Sequence, residues 1–405
     1  VPRKNCAELS KTFTFRKASL TQLTFVTKGL MTKKKSPPDS FLEFLEQQAA
    51  EVKNSVSGSV NNKTVDSLVK QRLFTGELKK IYGKMPAALP YRGKRTKKTE
   101  RILNVMLSDL HYGADLKEAE CASSYGALEE SRRTAAVVLA VADWKLQYRS
   151  ETSVTVHLLG DLIEGKLHDP QSAAPMTEQF NRAIWNLHQA IRFLASEFKS
   201  VQVCCVAGNH GRIKERHSGR AVNQKWDSFE NMIYTALKFS LSSTKNVSVD
   251  IPLTPYYYYQ AFDKHMFMTH GDTVLNIGYP NRAINVEGVR RQVNEINEYR
   301  RGRNEPTCDL FGAGHVHVAS ATRLPSGPVL VSNGALIPSG EYGQSIGIMS
   351  SVCSQQIWES VPGIVYGHRM DVLLNEDTDK NSSLDRIIKP YTGNEKFGAD
   401  SISFP

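Results

Sequence analysis

Five short polar segments, each placed where a hydrophobic run ends, constrain this chain more than any other feature. They are Asp109-Leu110-His111, Gly160-Asp161-Leu162-Ile163-Glu164, Gly208-Asn209-His210, His270-Gly271-Asp272 and Gly314-His315-Val316-His317. The runs before the first three, Ile102–Leu107, Val154–Leu159 and Val201–Ala207, are short and apolar and read as buried strands. His265–Thr269 precedes the fourth segment and Leu310-Phe311 the fifth. Carboxylate, imidazole and carboxamide groups gathered at strand ends, with glycines that let backbones approach, are what a metal centre requires. Of the 11 histidines, five lie in these segments: His111, His210, His270, His315 and His317. Residues two apart on an extended segment share a side, so Asp109 and His111 are expected to point together, as are His315 and His317. Singly, an Asp-x-His is often a turn and a His-Gly a loop. All five in one order, each after a strand, are hard to obtain by chance.

The rest of the composition excludes more than it specifies. With 405 residues, 40% hydrophobic and 23% charged, the chain reads as an ordinary soluble globular protein with room for a large core. No apolar run approaches the ~18 residues of a membrane span. Lys11, Arg16, Lys17 and Lys28 interrupt the amino terminus, so no signal peptide is expected. Cys6, Cys121, Cys204, Cys205, Cys308 and Cys353 show no paired spacing and read as reduced thiols. The expected location is the cytoplasm, or the host cytoplasm for a phage-encoded chain.

The net charge of +10 sits at the front of the chain. Residues 1–100 hold 21 Lys and Arg against 8 Asp and Glu, leaving 30 basic and 33 acidic residues for the remainder. A basic arm is a common electrostatic footprint for nucleic acid, and equally a solvated tail. The expected organisation is a basic, disordered segment at 1–38, a small helical region at 39–85 and a basic linker at 86–100. A catalytic domain at 101–370 and a polar, irregular tail at 371–405 complete it. Met31-Thr32-Lys33-Lys34-Lys35 looks like a conventional start, which would leave residues 1–30 outside the native chain. Beyond Arg101, helices fit at about 125–148, 176–198, 228–241 and 287–301. A β-hairpin fits 256–269, its four consecutive tyrosines packing as strand residues, and strands follow near 319–324 and 329–332.

The ordered set D-x-H, G-D-x-x-[DE], G-N-H, H-G and G-H-x-H, running from about Arg101 to Leu336, resembles the calcineurin-like metallophosphoesterase superfamily. That resemblance implies an α/β fold, a two-sheet β-sandwich flanked by helices, here with a small, basic, helical N-terminal extension. It also implies two divalent metal ions, with Mn the first expectation and Fe, Zn or Co accepted by the same ligand types. Asp109, His111 and His317 would hold one ion. Asn209, His270 and His315 would hold the other, with Asp161 bridging. An activated water would attack phosphorus, His210 would protonate the departing oxygen, and the Glu164 carboxylate would orient His210.

Departures from the family pattern narrow the subfamily. Gly165 stands where protein Ser/Thr phosphatases and diadenosine-polyphosphate hydrolases carry an arginine. Purple acid phosphatases place a metal-binding tyrosine in the second motif, where Glu164 stands here. His210 stands where lipid A-pathway hydrolases usually have arginine. The third motif usually ends in Asp or Glu, and here it ends in Gly211, which puts a carboxylate at that place in doubt. What remains is similar to SbcD-type DNA-repair nucleases and to phage-encoded metallophosphoesterases. Arg212, Lys214 and Arg216, with Arg220 and Lys225 beyond, are candidate phosphate-binding residues. The arginines of the helix at 287–301 serve phosphate binding or a solvated face equally well. The expected function is a two-metal phosphodiesterase acting as a DNA nuclease in phage or bacterial DNA metabolism. The alternatives are a phosphomonoesterase or nucleotide hydrolase, and a non-catalytic nucleic-acid-binding protein of the same fold. DNA or another phosphodiester is the expected partner, no membrane is expected, and the sequence names neither a homodimer nor an ATPase partner.

Overall fold

Four parallel strands, β1 (Ile102–Leu107), β2 (Ser153–Leu158), β3 (Ser200–Cys205) and β4 (Val247–Asp250), form the body of the first sheet. A second sheet begins with the hairpin β5 (Tyr256–Ala261) and β6 (Lys264–Thr269), followed by β7 (Leu310–Ala313), β8 (Ser320–Arg323) and β9 (Val329–Ser332). The chain then returns to the first sheet as β10 (Cys353–Ser360) and β11 (Arg369–Leu374). The strand orders are β11-β10-β1-β2-β3-β4 and β5-β6-β7-β9-β8. The computed structural model describes residues 75, 76, 78–80, 82, 83, 85, 101–121, 123–148, 153–166, 173–213, 225, 227–280, 282–340, 343, 344, 347 and 352–395. All of these belong to one unit, 74–405. The segment 1–38, the helices expected between 40 and 73, the linker 86–100, and Lys214, Arg216 and Arg220 lie outside the described residues.

Strand alternation sorts the core into three layers. Val105 and Leu107 pack outward against helices α1 (Ala127–Tyr148), α2 (Met176–Glu197) and α3 (Phe229–Ser240), whereas Met106 points inward. Met106 meets Met266, Met268 and Trp358 between the sheets. Phe267 and Phe311 face the other way, onto Val289 and Val293 of α4 (Val286–Gly302). Two mixed sheets flanked by helices are the architecture that the family resemblance implied. Helix α2 is amphipathic at the right period, burying Ile184, Leu187, Ile191 and Leu194. Ser228 caps α3 by accepting the Asn231 N–H. Among the described residues no helix is long and apolar enough to cross a membrane.

The tyrosines of β5 divide as a strand requires. Tyr257 and Tyr259 reach His157 and Thr155 across the sandwich, with oxygen contacts of 2.6 and 2.7 Å. Tyr258 faces α4, with the Arg300 guanidinium 3.9 Å from its ring centroid.

Strand β10 has no counterpart in the sequence pattern. Its residues Cys353–Ser360 are all buried, yet Gln355, Gln356 and Glu359 break any apolar run. Gln355 Oε1 accepts the Ser108 N–H and an Asn333 side-chain N–H, so a buried polar side chain ties the two sheets together. The segment 371–405 is polar, but its described part is strapped to the helices rather than irregular. Arg132 forms a two-pronged pair with Asp385 at 2.8 and 2.9 Å, and Arg133 binds Asp379. Trp185 donates to the Lys389 carbonyl at 2.6 Å, and Leu384 and Ile388 are buried. Leu78, Tyr82 and Met85 are buried in the same core as α1 and α2.

Candidate metal centre

Parallel strands deliver the loops at their carboxyl ends to one edge of the sandwich, and all five polar segments lie there. Asp109 and His111 follow β1, Asp161 follows β2, and Asn209 and His210 follow β3. His270 follows β6, and His315 and His317 follow β7. Three overlapping groups result, with ligand atoms within 4.8 Å of one another: Asp109–His111–His317, His111–Asp161–His210 and Asp161–His270–His315. Asp161 belongs to two of them, the place of a bridging carboxylate.

The expected extended geometry of the D-x-H and H-x-H segments is not what aligns these side chains. Asp109, His111, Asp161, His315 and His317 have φ of 54°, 48°, 50°, 68° and 58°, in the left-handed region. Each costs a non-glycine residue on the order of 1–3 kcal/mol and persists only where the surroundings hold it. Here they do. Asp109 N–H donates to the Gly160 carbonyl at 3.0 Å and His111 N–H to that of Asp161 at 3.1 Å. The His315 N–H donates to both Asp109 carboxylate oxygens at 3.0 Å. Gly160 itself has φ 87°, and a Cβ there would lie 2.3 Å from the Gly208 nitrogen, so glycine is what lets these loops meet.

Hydrogen bonds fix three imidazoles in one tautomer. His270 Nδ1 lies 2.7 Å from the Leu159 carbonyl and His210 Nδ1 2.7 Å from the Glu164 carbonyl. His111 Nδ1 lies 2.7 Å from the Glu164 carboxylate. Carbonyls and carboxylates only accept, so each Nδ1 carries the proton and each Nε2 faces the cluster. His270 Nε2 then meets Asp161 Oδ2 and Asn209 Oδ1, both at 3.1 Å, and His111 Nε2 meets His317 Nε2 at 3.3 Å. The His315 Nδ1 is buried with no hydrogen-bond partner among the described residues. Facing acceptors in a buried space need a cation between them, a proton as on His270 beside Asp161 or a divalent metal, which the nitrogen and oxygen donor set fits.

The role expected for Glu164 changes. Its carboxylate engages His111, and its contact with His210 runs through the backbone carbonyl. His210 stands edge-on to His111, ring centroids 4.6 Å apart, with Nε2 4.0 Å from Asp161 Oδ2. Burial opposes its charged form, but the Asp161 and Glu164 carboxylates raise its pKa above the ordinary histidine value. Burial likewise opposes the charge on His270, and Asp161 overrides it, raising the pKa to about 9. His315, with burial dominant and His270 adding to it, is lowered to about 4.

The basic elements divide. Arg212 Nε donates to the Asn209 carbonyl at 2.8 Å, which holds its side chain beside the cluster. Lys225 instead forms a buried 2.8 Å pair with Asp272. On α4, Arg290 pairs with Glu287 and Arg301 with Glu298, the pattern of a solvated helix face. Sequence reasoning missed Glu230, the first-turn glutamate of α3, which accepts backbone N–H groups from two of the ligand loops. It also missed Gln179, whose Oε1 accepts the Gly165 N–H at 2.8 Å. A polar residue in the first turn of a helix is ordinary, so neither carried a signal.

No family model matches the chain, and no curated protein matches it. Solved structures similar to it include a single mutant of Vps29 from Entamoeba histolytica, at 13% identity and a TM-score of 0.27, covering 66% of this chain and 98% of that one. A dimetal phosphatase from Danio rerio is similar at 12% identity and a TM-score of 0.34, covering 69% and 100%. A 5'-nucleotidase from Candida albicans is similar at 11% identity and a TM-score of 0.35, covering 74% of this chain and 57% of that one. These are weak likenesses, and the functional reading rests on the side chains.

Proposed function

We propose that this protein is a two-metal phosphodiesterase that cleaves DNA, with Mn²⁺ as the working ion. The observation that supports it most is the convergence of imidazole Nε2 atoms on the Asp109 and Asp161 carboxylates, with Asp161 in two of the three overlapping groups. Asp109, His111 and His317 would hold one ion, Asn209, His270 and His315 the other, and Asp161 would touch both. Two dications there would supply charge to developing phosphoryl oxygens and lower the pKa of a water.

The chain's own residues supply the rest. His210, anchored through Nδ1, offers an Nε2–H to a departing oxygen as general acid. Glu164 holds His111 and His210 in one orientation, so that ligand and acid move as a unit. Arg212, whose Nε donates to the Asn209 carbonyl, would meet a phosphate flanking the scissile bond. DNA is favoured as substrate by the basic excess of residues 1–100, 21 against 8.

The test is hydrolysis by metal-stripped, Mn²⁺-reloaded protein of single- and double-stranded DNA, bis-p-nitrophenyl phosphate and p-nitrophenyl phosphate, run in parallel. Cleavage of DNA and the diester above the monoester supports the proposal. A preference for the monoester replaces it with a phosphomonoesterase, and no hydrolysis at all with a binding protein.

A further inference from the structure

Beyond the ligands and His210, we infer that Glu230 is a positioning residue of the metal centre. In this role it clamps the loop carrying Asp161 to the loop carrying Asn209 and His210. The inference deepens the two-metal reading and rests on it.

The geometry is specific. Glu230 Oε1 accepts the Leu162 N–H at 2.7 Å and Oε2 accepts the Gly208 N–H at 2.5 Å. Leu162 directly follows Asp161, and Gly208 directly precedes Asn209. A second carboxylate crosses the same gap: Asp161 Oδ1 accepts the N–H groups of Asn209 and His210 at 2.7 and 2.8 Å. Asp161 would have to serve a metal as well, so its hold on the facing loop needs a partner that does not. Glu230 is such a partner, buried with no exposed surface and spending both oxygens on backbone donors.

The surrounding backbone is built to deliver this carboxylate. Phe229 N–H donates to the Gly211 carbonyl at 2.8 Å, docking the start of α3 on the loop after His210. Gly211 leaves the necessary room: a Cβ there would lie 2.5 Å from Glu230 Cγ and 3.2 Å from its carboxyl carbon. The carboxylate missing from position 211 is therefore brought to the same space by residue 230. A glutamate that merely favoured the helix dipole would point at its own helix's N–H groups or at solvent. This one bonds to residues of two loops that precede it by 68 and 22 positions.

The experiment uses the full chain and follows Mn²⁺ uptake by the electron paramagnetic resonance of the free ion, with a thermal melt of each variant. Glu230→Ala should weaken Mn²⁺ binding about 10- to 100-fold, the usual cost of losing a residue that orients ligands. Glu230→Gln keeps one carbonyl acceptor but sets an N–H₂ against a backbone N–H, so it should fall between. Gly211→Glu alone should clash. Combined with Glu230→Ala it should restore carboxylate to the same N–H groups and recover most of the lost affinity, a coupling that a purely structural glutamate would not show.

Folded Glu230→Ala and Glu230→Gln proteins that bind Mn²⁺ as tightly as wild type would overturn the inference. So would a folded double variant no better than Glu230→Ala. If Glu230→Ala does not fold, Glu230→Gln with and without Gly211→Glu decides it in the same way. A wild-type protein that takes up no Mn²⁺ is a different result, and it removes the metal-centre reading itself.

Discussion

The imidazole of His210 meets the backbone carbonyl of Glu164 at 2.7 Å through Nδ1, which turns Nε2 toward the cluster. A backbone acceptor cannot be lost by mutating the side chain of Glu164. The orientation of the acid is thus separable from the carboxylate that holds His111. His210→Ala should retain metal and lose about 10²–10⁴ in rate on DNA. The loss should shrink on p-nitrophenolate esters, whose leaving oxygen needs no proton. An equal loss on good and poor leaving groups would assign His210 to charge stabilisation instead.

Glu164→Gln should act on metal affinity and on the His210 pKa together. The amide keeps the His111 Nδ1–H bond through its carbonyl but removes the negative charge behind the ring. Mn²⁺ affinity should fall about tenfold, and the His210 pKa, which the carboxylate helps to raise, should fall with it. A pH–rate profile, whose alkaline limb should move to lower pH, checks it. An unmoved limb would mean that the carboxylate does not act on His210.

Metal uptake should release protons at neutral pH. In the metal-free cluster burial opposes the charge on His270, but Asp161 and its neighbours raise the pKa to about 9. A proton is therefore held at pH 7.5 that a metal must displace. A raised histidine pKa contributes stability that is fully present below the unfolded value of about 6.5 and lost as pH rises through about 9. Metal-free protein should melt lower at pH 9 than at pH 6.5, and His270→Asn should flatten that fall. Calorimetry of Mn²⁺ binding in buffers of different ionisation enthalpy counts the protons. A buffer-independent heat would contradict the prediction.

His157 gives the opposite pH sign away from the metal centre. It is buried between the sheets, stacked on Trp358 with ring centroids 5.6 Å apart, and burial lowers its pKa to about 3. The unfolded chain takes up this proton below about 6.5 and the folded chain does not, so stability is lost as pH falls from 6.5 toward 3. His157→Gln should lower stability at pH 7 and reduce its further loss between pH 6 and 4, measured by urea midpoints. Parallel pH dependence in the two proteins would exclude His157 as a source.

DNA affinity should depend on residues 1–73, which hold 13 basic against 6 acidic residues. Truncation belongs at 73 because Leu78, Tyr82 and Met85 are buried in the core of the unit 74–405. The shortened protein should cleave small diesters at nearly the full rate. Its dependence of log K on log salt should be flatter, by about 0.9 for each phosphate that the missing segment would have neutralised. Charge reversal at Arg212 should instead impair DNA cleavage with the salt slope changed by no more than about 1.

The gathering of these polar side chains was legible in the sequence because its chemistry sits in five local words, each attached to a strand that announces itself by hydrophobicity. Asp109, His111, Asp161, Asn209, His210, His270, His315 and His317 need only their strands to be brought together. The backbone that aims them was not legible. Left-handed φ at Asp109 or His317 is imposed by the facing loop and leaves no mark on residue type. Glu230, Gln179 and strand β10 were hidden for a related reason: their polar side chains are buried against partners far along the chain. In the sequence they look like surface residues.

Mn²⁺ titration of metal-stripped protein, counted per chain and read by electron paramagnetic resonance, tests the two-metal site most directly. The account predicts two ions per chain with a spin-coupled signal, reduced to an uncoupled signal or lost in Asp161→Asn, because Asp161 is the carboxylate that belongs to two of the three groups. A single uncoupled ion in the wild type, or a coupled pair that survives Asp161→Asn, would contradict it.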